Sequence, residues 1–278
     1  MKKLPVLDSS VKKLILNTDD ESIDWIKEKH KLQEMINDGA PIQRDWSINQ
    51  IEKYCNESKD KVILDYGCGT GILNLLLLLK GYQNVHGVDI VRKFNKKILQ
   101  KFNFNKASFN LIRDNEKLPY EDETFDIIIS SQVLEHVGNI DHYYSEAARL
   151  LKPGGVCFFN FPHRLKPYDS HSRCWFIHYF PKTIRRVLWG MFARQDGQYL
   201  DEYLFLRTIS THKKCASKYF KIAENRTAER IKRSSPTGYK GNLKIRSLAS
   251  KLANLKYAGN LFVKIFTVFA SADLFLQK

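Results

Sequence analysis

A glycine-rich turn flanked by two carboxylates is the part of the sequence best suited to hold a ligand. Asp65 stands two residues before the turn Gly67-Cys68-Gly69-Thr70-Gly71, and Asp89 follows 18 residues after it. Glycines let a backbone approach a ligand closely, and the helix after the turn directs its N–H groups at that ligand. The spacing differs from the G-x-G-x-x-G of dinucleotide binders, because position 72 is Ile. We therefore expect a ligand without pyrophosphate, with ribose hydroxyls for Asp89 and a cationic amino group for Asp65.

Three histidines are the candidate groups for proton transfer. His136 follows Glu135 after an apolar run, while His163 and His171 lie in a later stretch rich in aromatic residues. Imidazole is the side chain used most often in general acid–base catalysis. The alternatives are an orienting role for Glu135 and His136 and a packed aromatic cap around the later histidines. The histidine spacings do not specify a metal site, and no metal is predicted.

Short apolar strands alternating with helices must position these residues. The predicted strands are 61–66, 85–90, 108–113, 125–130 and 156–161, and the predicted helices are 19–38, 47–55, 72–80, 94–102 and 140–151. A tight turn is predicted over 152–155, and a helix followed by a strand over 211–225. Such alternation predicts a parallel, doubly wound α/β sheet, whose ligands bind at the carboxyl ends of the strands.

The segment from Lys61 to Phe161 resembles the class I S-adenosylmethionine-dependent methyltransferases, in particular small-molecule enzymes of ubiquinone, menaquinone and cell-surface pathways. Asp65–Gly71 (DYGCGTG) is similar to the first motif of the family, and Gly87–Ile90 (GVDI) to its ribose-binding strand end. Three further similar segments are RDNEKLPYEDETF (113–125), FDIIISSQVLEHV (125–137) and LLKPGG (150–155).

The resemblance implies a seven-stranded Rossmann-like sheet with a basic, aromatic insertion after strand five. Its last two strands, for which 219–225 and 272–277 are the candidates, would form an antiparallel hairpin. The chain would divide into an N-terminal helical cap (1–60), the cofactor-binding core (61–161) and a substrate-side part with the closing strands (162–278).

The resemblance also implies S-adenosyl-L-methionine as the cofactor. Asp114 would face the exocyclic amine of the adenine, and Asn115 would offer its backbone N–H. Arg44 resembles an arginine that meets the methionine carboxylate in ubiquinone-type enzymes, and a surface arginine is the alternative. The implied cofactor-binding residues are Asp65, Gly67, Cys68, Gly69, Gly71, Asp89, Ile90, Asp114, Asn115 and Ser131.

The positive charge is confined to the second part of the chain. The net charge is +15, and residues 161–278 alone carry +16. A basic amphipathic helix predicted over 243–269 would contact an anionic membrane peripherally, or pack on the sheet with its lysines solvated. Charged residues interrupt 258–276, which disfavours a spanning helix. Nucleic acid is disfavoured because 130–133 reads SSQV, without the Asn/Asp-Pro-Pro-Tyr tetrad used on base amines.

These observations predict methyl transfer to an O or N atom of a small-molecule, glycan or lipid-linked acceptor. An RNA methyltransferase and a non-catalytic S-adenosylmethionine-binding protein are the alternatives. Five scattered cysteines without a C-x-x-C pair argue against a disulfide framework or a zinc ribbon. With no apolar stretch at the start, we expect a cytoplasmic protein, peripheral to the membrane if the basic half binds lipid.

Overall fold

A computed structural model of the chain describes residues 7–40, 42, 44–192, 202–233, 251–252, 254–255 and 259–278. They fall into two units. The described residues of the first unit lie in 7–130 and 150–158, and those of the second in 131–149, 159–233 and 251–278. The predicted three-part division of the chain stays a prediction.

Among the described residues, seven strands form one sheet. They are β1 (Ile63–Tyr66), β2 (Val85–Asp89), β3 (Ser108–Leu111), β4 (Phe125–Ser131), β5 (Leu151–Phe161), β6 (Ile222–Asn225) and β7 (Ala272–Gln277). Their order is β3-β2-β1-β4-β5-β7-β6. β1 runs parallel to β2 and β4, and β2 parallel to β3, whereas β6 and β7 are antiparallel. The predicted α/β class and the antiparallel closing hairpin are confirmed.

The helices of the first unit differ from the predicted ones at the N-terminus. They are α1 (Leu7–Leu16), α2 (Trp25–Asn37), α3 (Asp45–Cys55), α4 (Ile72–Leu79) and α5 (Lys97–Lys101). The prediction missed α1, although its apolar positions 7, 11, 14 and 15 are buried at helical spacing. The predicted helix start at residue 19 is wrong, because the Asp24 carboxylate caps α2 by accepting a hydrogen bond from the Lys27 N–H, 3.0 Å away.

The core of the first unit explains its leucine-rich sequence. Every residue of β1 and of α4 is buried. The one polar residue of α4, Asn74, donates from Nδ2 to the His86 carbonyl, 3.1 Å away, while its buried Oδ1 has no hydrogen-bond partner among the described residues. Strands of a parallel sheet are covered on both faces, so they read as continuous apolar runs.

The predicted tight turn at 152–155 is wrong, since β5 runs without a break from Leu151 to Phe161. Its first part is held by side chains from elsewhere in the first unit. Lys152 Nζ lies 2.8 Å from Asp126 Oδ2, and the Tyr54 hydroxyl donates to the Gly154 carbonyl, 2.9 Å away. Gly154 has a φ of 76°, so it provides a bend inside the strand rather than the end of it.

The second unit contains more helix than the sequence predicted. Its helices are α6 (Ile140–Leu150), α7 (Lys182–Phe192), α8 (Ile209–Ala216), α9 (Thr227–Arg233) and α10 (Gly259–Phe266). Neither α7 nor α9 was predicted from the sequence. The Asn225 side chain starts α9 by accepting from the Thr227 N–H, 3.1 Å away. Within the helix predicted over 243–269, the structure has α10, while residues 243–250, 253 and 256–258 lie outside the described residues.

Candidate functional site

The glycine turn of the first unit joins β1 to α4 in a conformation that favours glycine. Gly67, Gly69 and Gly71 have φ values of 90°, 55° and 78°. The N–H groups of Gly67 and Cys68 both donate to the Val88 carbonyl, at 2.8 and 2.9 Å. The turn is therefore tied to β2 by its own backbone, as a rigid support for a ligand requires.

Two glycines of this turn serve different purposes. A Cβ atom on Gly71 would lie 2.6 Å from the ring of Phe109, so close packing excludes a side chain there. A Cβ atom on Gly69 would have no protein atom within 4 Å. The space in front of Gly69 is open, so a ligand can approach the backbone at that residue.

Asp89 is fixed at the carboxyl end of β2, next to the glycine turn. Its Oδ2 accepts a hydrogen bond from the Gly69 N–H at 2.7 Å, and its Oδ1 accepts one from the Val91 N–H at 2.8 Å. Each carboxylate oxygen has a second lone pair, so the group can also accept from two ligand hydroxyls. Ile90, the next residue, is 53% exposed.

Asp65 is a buried carboxylate beside a partly exposed arginine. Only 3% of Asp65 is exposed, and this burial raises the pKa of its carboxyl to about 7. The positive charge of Arg44 acts to lower this pKa, and the negative charge of Asp89 acts to raise it. Arg44 itself donates from Nη1 to Asp8 Oδ1, 2.6 Å away. A buried carboxylate is costly when ionised, so a cationic ligand group nearby would stabilise it.

The other predicted cofactor residues have less distinctive surroundings. Cys68 is buried, and burial raises the pKa of its thiol well above the usual range. Asp114 and Asn115 are exposed beyond β3, where Asn115 Nδ2 donates to Asp114 Oδ2 at 3.0 Å. The Ile112 N–H donates to the Asp89 carbonyl, so the segment after β3 starts beside Asp89. Ser131 is the half-buried last residue of β4.

The second unit brings together Glu135, His136 and His171, whose donor atoms all lie within 4.8 Å of one another. The two imidazole rings meet edge to face, with centroids 5.1 Å apart. His136 Nδ1 lies 2.8 Å from the carbonyl oxygen of Tyr203. A carbonyl only accepts, so this nitrogen carries the proton and the lone pair of the neutral ring is on Nε2.

Asp169 holds the loop that carries His171. Its Oδ1 lies 3.0 Å from His171 Nδ1, and its Oδ2 accepts from the N–H and hydroxyl of Ser172, at 2.9 and 2.6 Å. His178 Nε2 lies 3.4 Å from the same Oδ2. Burial acts to raise the pKa of Asp169, but these polar contacts hold it well below its usual range. The hydrogen bond to Asp169 in turn raises the pKa of His171.

Glu135 is the most isolated acidic group of this cluster. It is 2% exposed, and burial raises the pKa of its carboxyl to about 7. Neither carboxylate oxygen has a hydrogen-bond partner among the described residues. His163 is not part of the group formed by Glu135, His136 and His171. It is 3% exposed, and burial lowers the pKa of its imidazole. The sequence analysis did not predict a role for Asp169, although its Asp-x-His spacing to His171 was an available signal.

Comparison by sequence matches the central part of the chain to methyltransferases. Residues 64–159 match a family described as "Methyltransferase domain". The ubiquinone biosynthesis O-methyltransferase of Rickettsia bellii (strain OSU 85-389) is 27% identical over 126 residues, which are 45% of this chain and 52% of the relative. That of Pelagibacter ubique is 32% identical over 124 residues, 42% of this chain and 47% of the relative. The match thus spans about half the length of these relatives.

A solved structure supports the fold. The crystal structure of the [4+2]-cyclase SpnF has a TM-score of 0.50 and 15% identity, covering 99% of this chain and 97% of that one. A fold shared with a cyclase does not define a reaction, so the matched motifs carry the assignment. Residues 64–159 of the chain are therefore a methyltransferase domain of the class I S-adenosylmethionine-dependent type.

Proposed function

We propose that this chain transfers the methyl group of S-adenosyl-L-methionine to an O or N atom of a small-molecule, glycan or lipid-linked acceptor by in-line displacement. The observation that carries this proposal is the fixed pair of Asp89 and the open Gly69 backbone. The names of the two relatives support an O atom as the methylated atom of the acceptor, since both are O-methyltransferases. Because the match covers about half of each relative, the acceptor remains part of the proposal.

The residues of the first unit fit such a cofactor in shape and charge. Gly69 leaves room for the ligand, Asp89 offers lone pairs to the two ribose hydroxyls, and Asp65 offers a buried charge to the amino group. Arg44, close enough to Asp65 to lower its pKa, would neutralise the methionine carboxylate. Ile90, Asp114 and Asn115, the remaining assigned residues of this unit, would line the adenine and the sugar, and the family resemblance also assigns Ser131 to the cofactor.

The sulfonium group makes the bound methyl carbon electrophilic, so the protein has to orient the acceptor and accept its proton. Orientation of this kind can lower a barrier by roughly 7–11 kcal/mol. We assign proton uptake from the acceptor to the pair of His136 and His171, because Asp169 stabilises the protonated form of His171. His163, which is buried and whose pKa is lowered, is assigned to the pocket wall.

The test is transfer of labelled methyl groups to fractionated cell extract. Wild-type chain and the Asp89→Ala variant are incubated with labelled cofactor and with lipid, polar-metabolite, RNA and protein fractions. Label in the lipid or polar fraction, dependent on Asp89, supports the proposal. Label in RNA would indicate the alternative acceptor. Cofactor binding without label in any fraction would indicate a non-catalytic binding protein.

Peripheral membrane contact by the basic half is the second part of the proposal, and α7 supports it. This helix buries Trp189 but exposes Ile184, Val187 and Met191, at 48%, 63% and 68%. Lys182 and Arg186 are exposed on the same helix. An apolar face with cationic residues is typical of helices that lie on anionic bilayers. No described helix is both long and apolar enough to cross a bilayer.

Vesicle sedimentation tests this contact. The wild-type chain is expected to sediment with phosphatidylglycerol vesicles and to remain in solution with phosphatidylcholine vesicles. Val187→Asp combined with Met191→Asp should abolish sedimentation, whereas Ile26→Asp, which alters a 73% exposed apolar residue of α2, should not. Equal sedimentation of all three proteins would contradict the proposed contact.

A further inference from the structure

The cluster after β4 combines one carboxylate with two imidazoles. Glu135 and His136 are neighbours in the chain, and His171 comes from the loop 35 residues further on. One donor atom from each lies within 4.8 Å of the other two. Two nitrogens and one oxygen are the donors that zinc and similar first-row transition ions prefer, whereas magnesium prefers oxygen alone.

Glu135 supplies the first independent argument for a bound cation. Its carboxylate is 2% exposed, and neither oxygen has a hydrogen-bond partner among the residues that the structure describes. A buried polar group without a partner is unfavourable and rare in folded proteins. A cation between the carboxylate and the two imidazoles would satisfy it.

The orientation of both imidazoles supplies the second argument. Each ring places Nδ1 against an oxygen acceptor, the Tyr203 carbonyl for His136 and the Asp169 carboxylate for His171. This contact puts the proton on Nδ1 and the lone pair on Nε2. Histidine ligands of metal ions are oriented in this way, by a carbonyl or carboxylate behind the ring.

We propose that Glu135, His136 and His171 bind one divalent transition-metal ion of the zinc class, with Asp169 as a positioning residue for His171. Bonds of about 2.0–2.2 Å place tetrahedral ligand atoms roughly 3.4 Å apart, so donor atoms that lie within 4.8 Å of one another must converge by up to about 1.4 Å. Three protein ligands leave one coordination position open, which suits an oxygen of the acceptor. Because both imidazoles would then be ligands, a bound ion would replace His136 and His171 as the group that promotes loss of the acceptor proton. Its use in catalysis rests on the proposed function, but metal binding itself does not.

The test uses the metal alone, titrated into full-length protein freed of metal by chelator and dialysis. Calorimetry with zinc chloride should give one equivalent bound. His171→Gln and Glu135→Gln should each weaken binding at least 30-fold, and Asp169→Asn about 10- to 100-fold. His30→Gln, on an exposed histidine of α2, and Cys174→Ser, on a half-buried free cysteine, should bind as the wild type does.

The visible absorption of bound cobalt provides a second measurement, which reports the coordination of the ion rather than its affinity. Cobalt-loaded wild-type chain should show the visible absorption of four- or five-coordinate Co²⁺, and His171→Gln should lose it. Circular dichroism of each variant establishes that it is folded, and Glu135→Gln is expected to stay folded because it removes a buried acid.

Three results would overturn the proposal. They are no stoichiometric zinc binding by the wild type, unchanged binding in folded Glu135→Gln and His171→Gln, or loss of binding in Cys174→Ser or His30→Gln. Displacement of zinc by millimolar magnesium would also contradict the assigned metal class. Cofactor affinity is titrated separately, so a chain that binds S-adenosylmethionine but not zinc rejects this inference and leaves the proposed function standing.

Discussion

The glycine turn of the first unit and the histidine cluster of the second unit present their polar groups in different ways. In the turn, backbone N–H groups and one carboxylate hold each other within a segment of about 25 residues, from Asp65 to Asp89. In the cluster, side chains 35 residues apart lie close together, and a buried carboxylate, Asp169, holds one of them, His171. The first arrangement depends on backbone shape, and the second depends on coupled side-chain charges.

This difference predicts different sensitivities to mutation. Backbone shape tolerates most substitutions of neighbouring side chains, so the ligand-binding residues of the turn should act nearly independently. Coupled charges shift together when one is removed, so variants of the cluster should be non-additive. The following experiments test this contrast, beginning with the largest expected effect.

Asp89→Ala is expected to weaken S-adenosylmethionine binding at least 100-fold. The variant loses charge-assisted hydrogen bonds to the ribose, each contributing about 1.5–3 kcal/mol. Calorimetry measures the affinity, and Asp60→Ala, an exposed carboxylate before β1, is the matched control. Equal affinities of wild type and Asp89→Ala would contradict the assignment of the first unit.

Cofactor affinity should fall as the pH is lowered from 7 to 5. Burial raises the pKa of Asp65 to about 7, so below that pH the carboxyl must lose a proton before it can pair with a cationic amino group. Each pH unit below 7 should then weaken binding up to about tenfold. Asp65→Asn should bind more weakly at pH 7 and with little pH dependence, whereas Asp60→Asn should follow the wild type. A flat wild-type profile would place the amino group elsewhere.

Asp169→Asn should lower the rate of methyl transfer about 30-fold and leave cofactor affinity unchanged. The carboxylate raises the pKa of His171, so its removal should lower that pKa. Nuclear magnetic resonance titration of the histidine ring protons measures the shift directly. The double variant Asp169→Asn with His171→Gln should lower the rate of methyl transfer little more than His171→Gln alone does. Additive losses would mean that the two residues act separately.

The smallest expected effect concerns acid stability of the second unit. Burial lowers the pKa of His212 to about 3, and its Nδ1 lies 3.0 Å from the Tyr144 hydroxyl. The unfolded chain binds the proton near pH 6.5 and the folded chain does not, so stability is lost as the pH falls below 6.5. The loss is about 2 kcal/mol at pH 5, since one pKa unit corresponds to 1.36 kcal/mol. Urea unfolding at pH 5 and 7.5 measures it, and His212→Phe should abolish this part of the difference. An unchanged difference in His212→Phe would contradict the assignment.

Residues that act through local backbone geometry could be predicted from the sequence. The order of strands and helices around 61–161 and the closing hairpin follow from apolar periodicity and from the family resemblance. The turn from Gly67 to Gly71 is also local, since its conformation depends on residues within it and on one neighbouring strand.

What could not be predicted depends on contacts between distant residues. The grouping of Glu135 with His171 requires the course of the loop after β5, which no periodicity encodes. The start of α2 was misplaced because acidic residues occur both in first turns and as caps, and Asp24 is a cap. The helix α7 was not predicted, although Ile184, Val187, Leu188 and Met191 recur in it at helical spacing.

The contact between Arg44 and Asp8 has a consequence for how the family segment can be used. Residues 64–159 contain the recognisable motifs but neither member of this pair. Arg44 acts on the pKa of Asp65, and α1 anchors Arg44 through Asp8. A protein trimmed to those 96 residues, or a chimera that grafts them onto another N-terminus, would keep the residues of the glycine turn. It would lose the positive charge of Arg44, which lowers the pKa of Asp65.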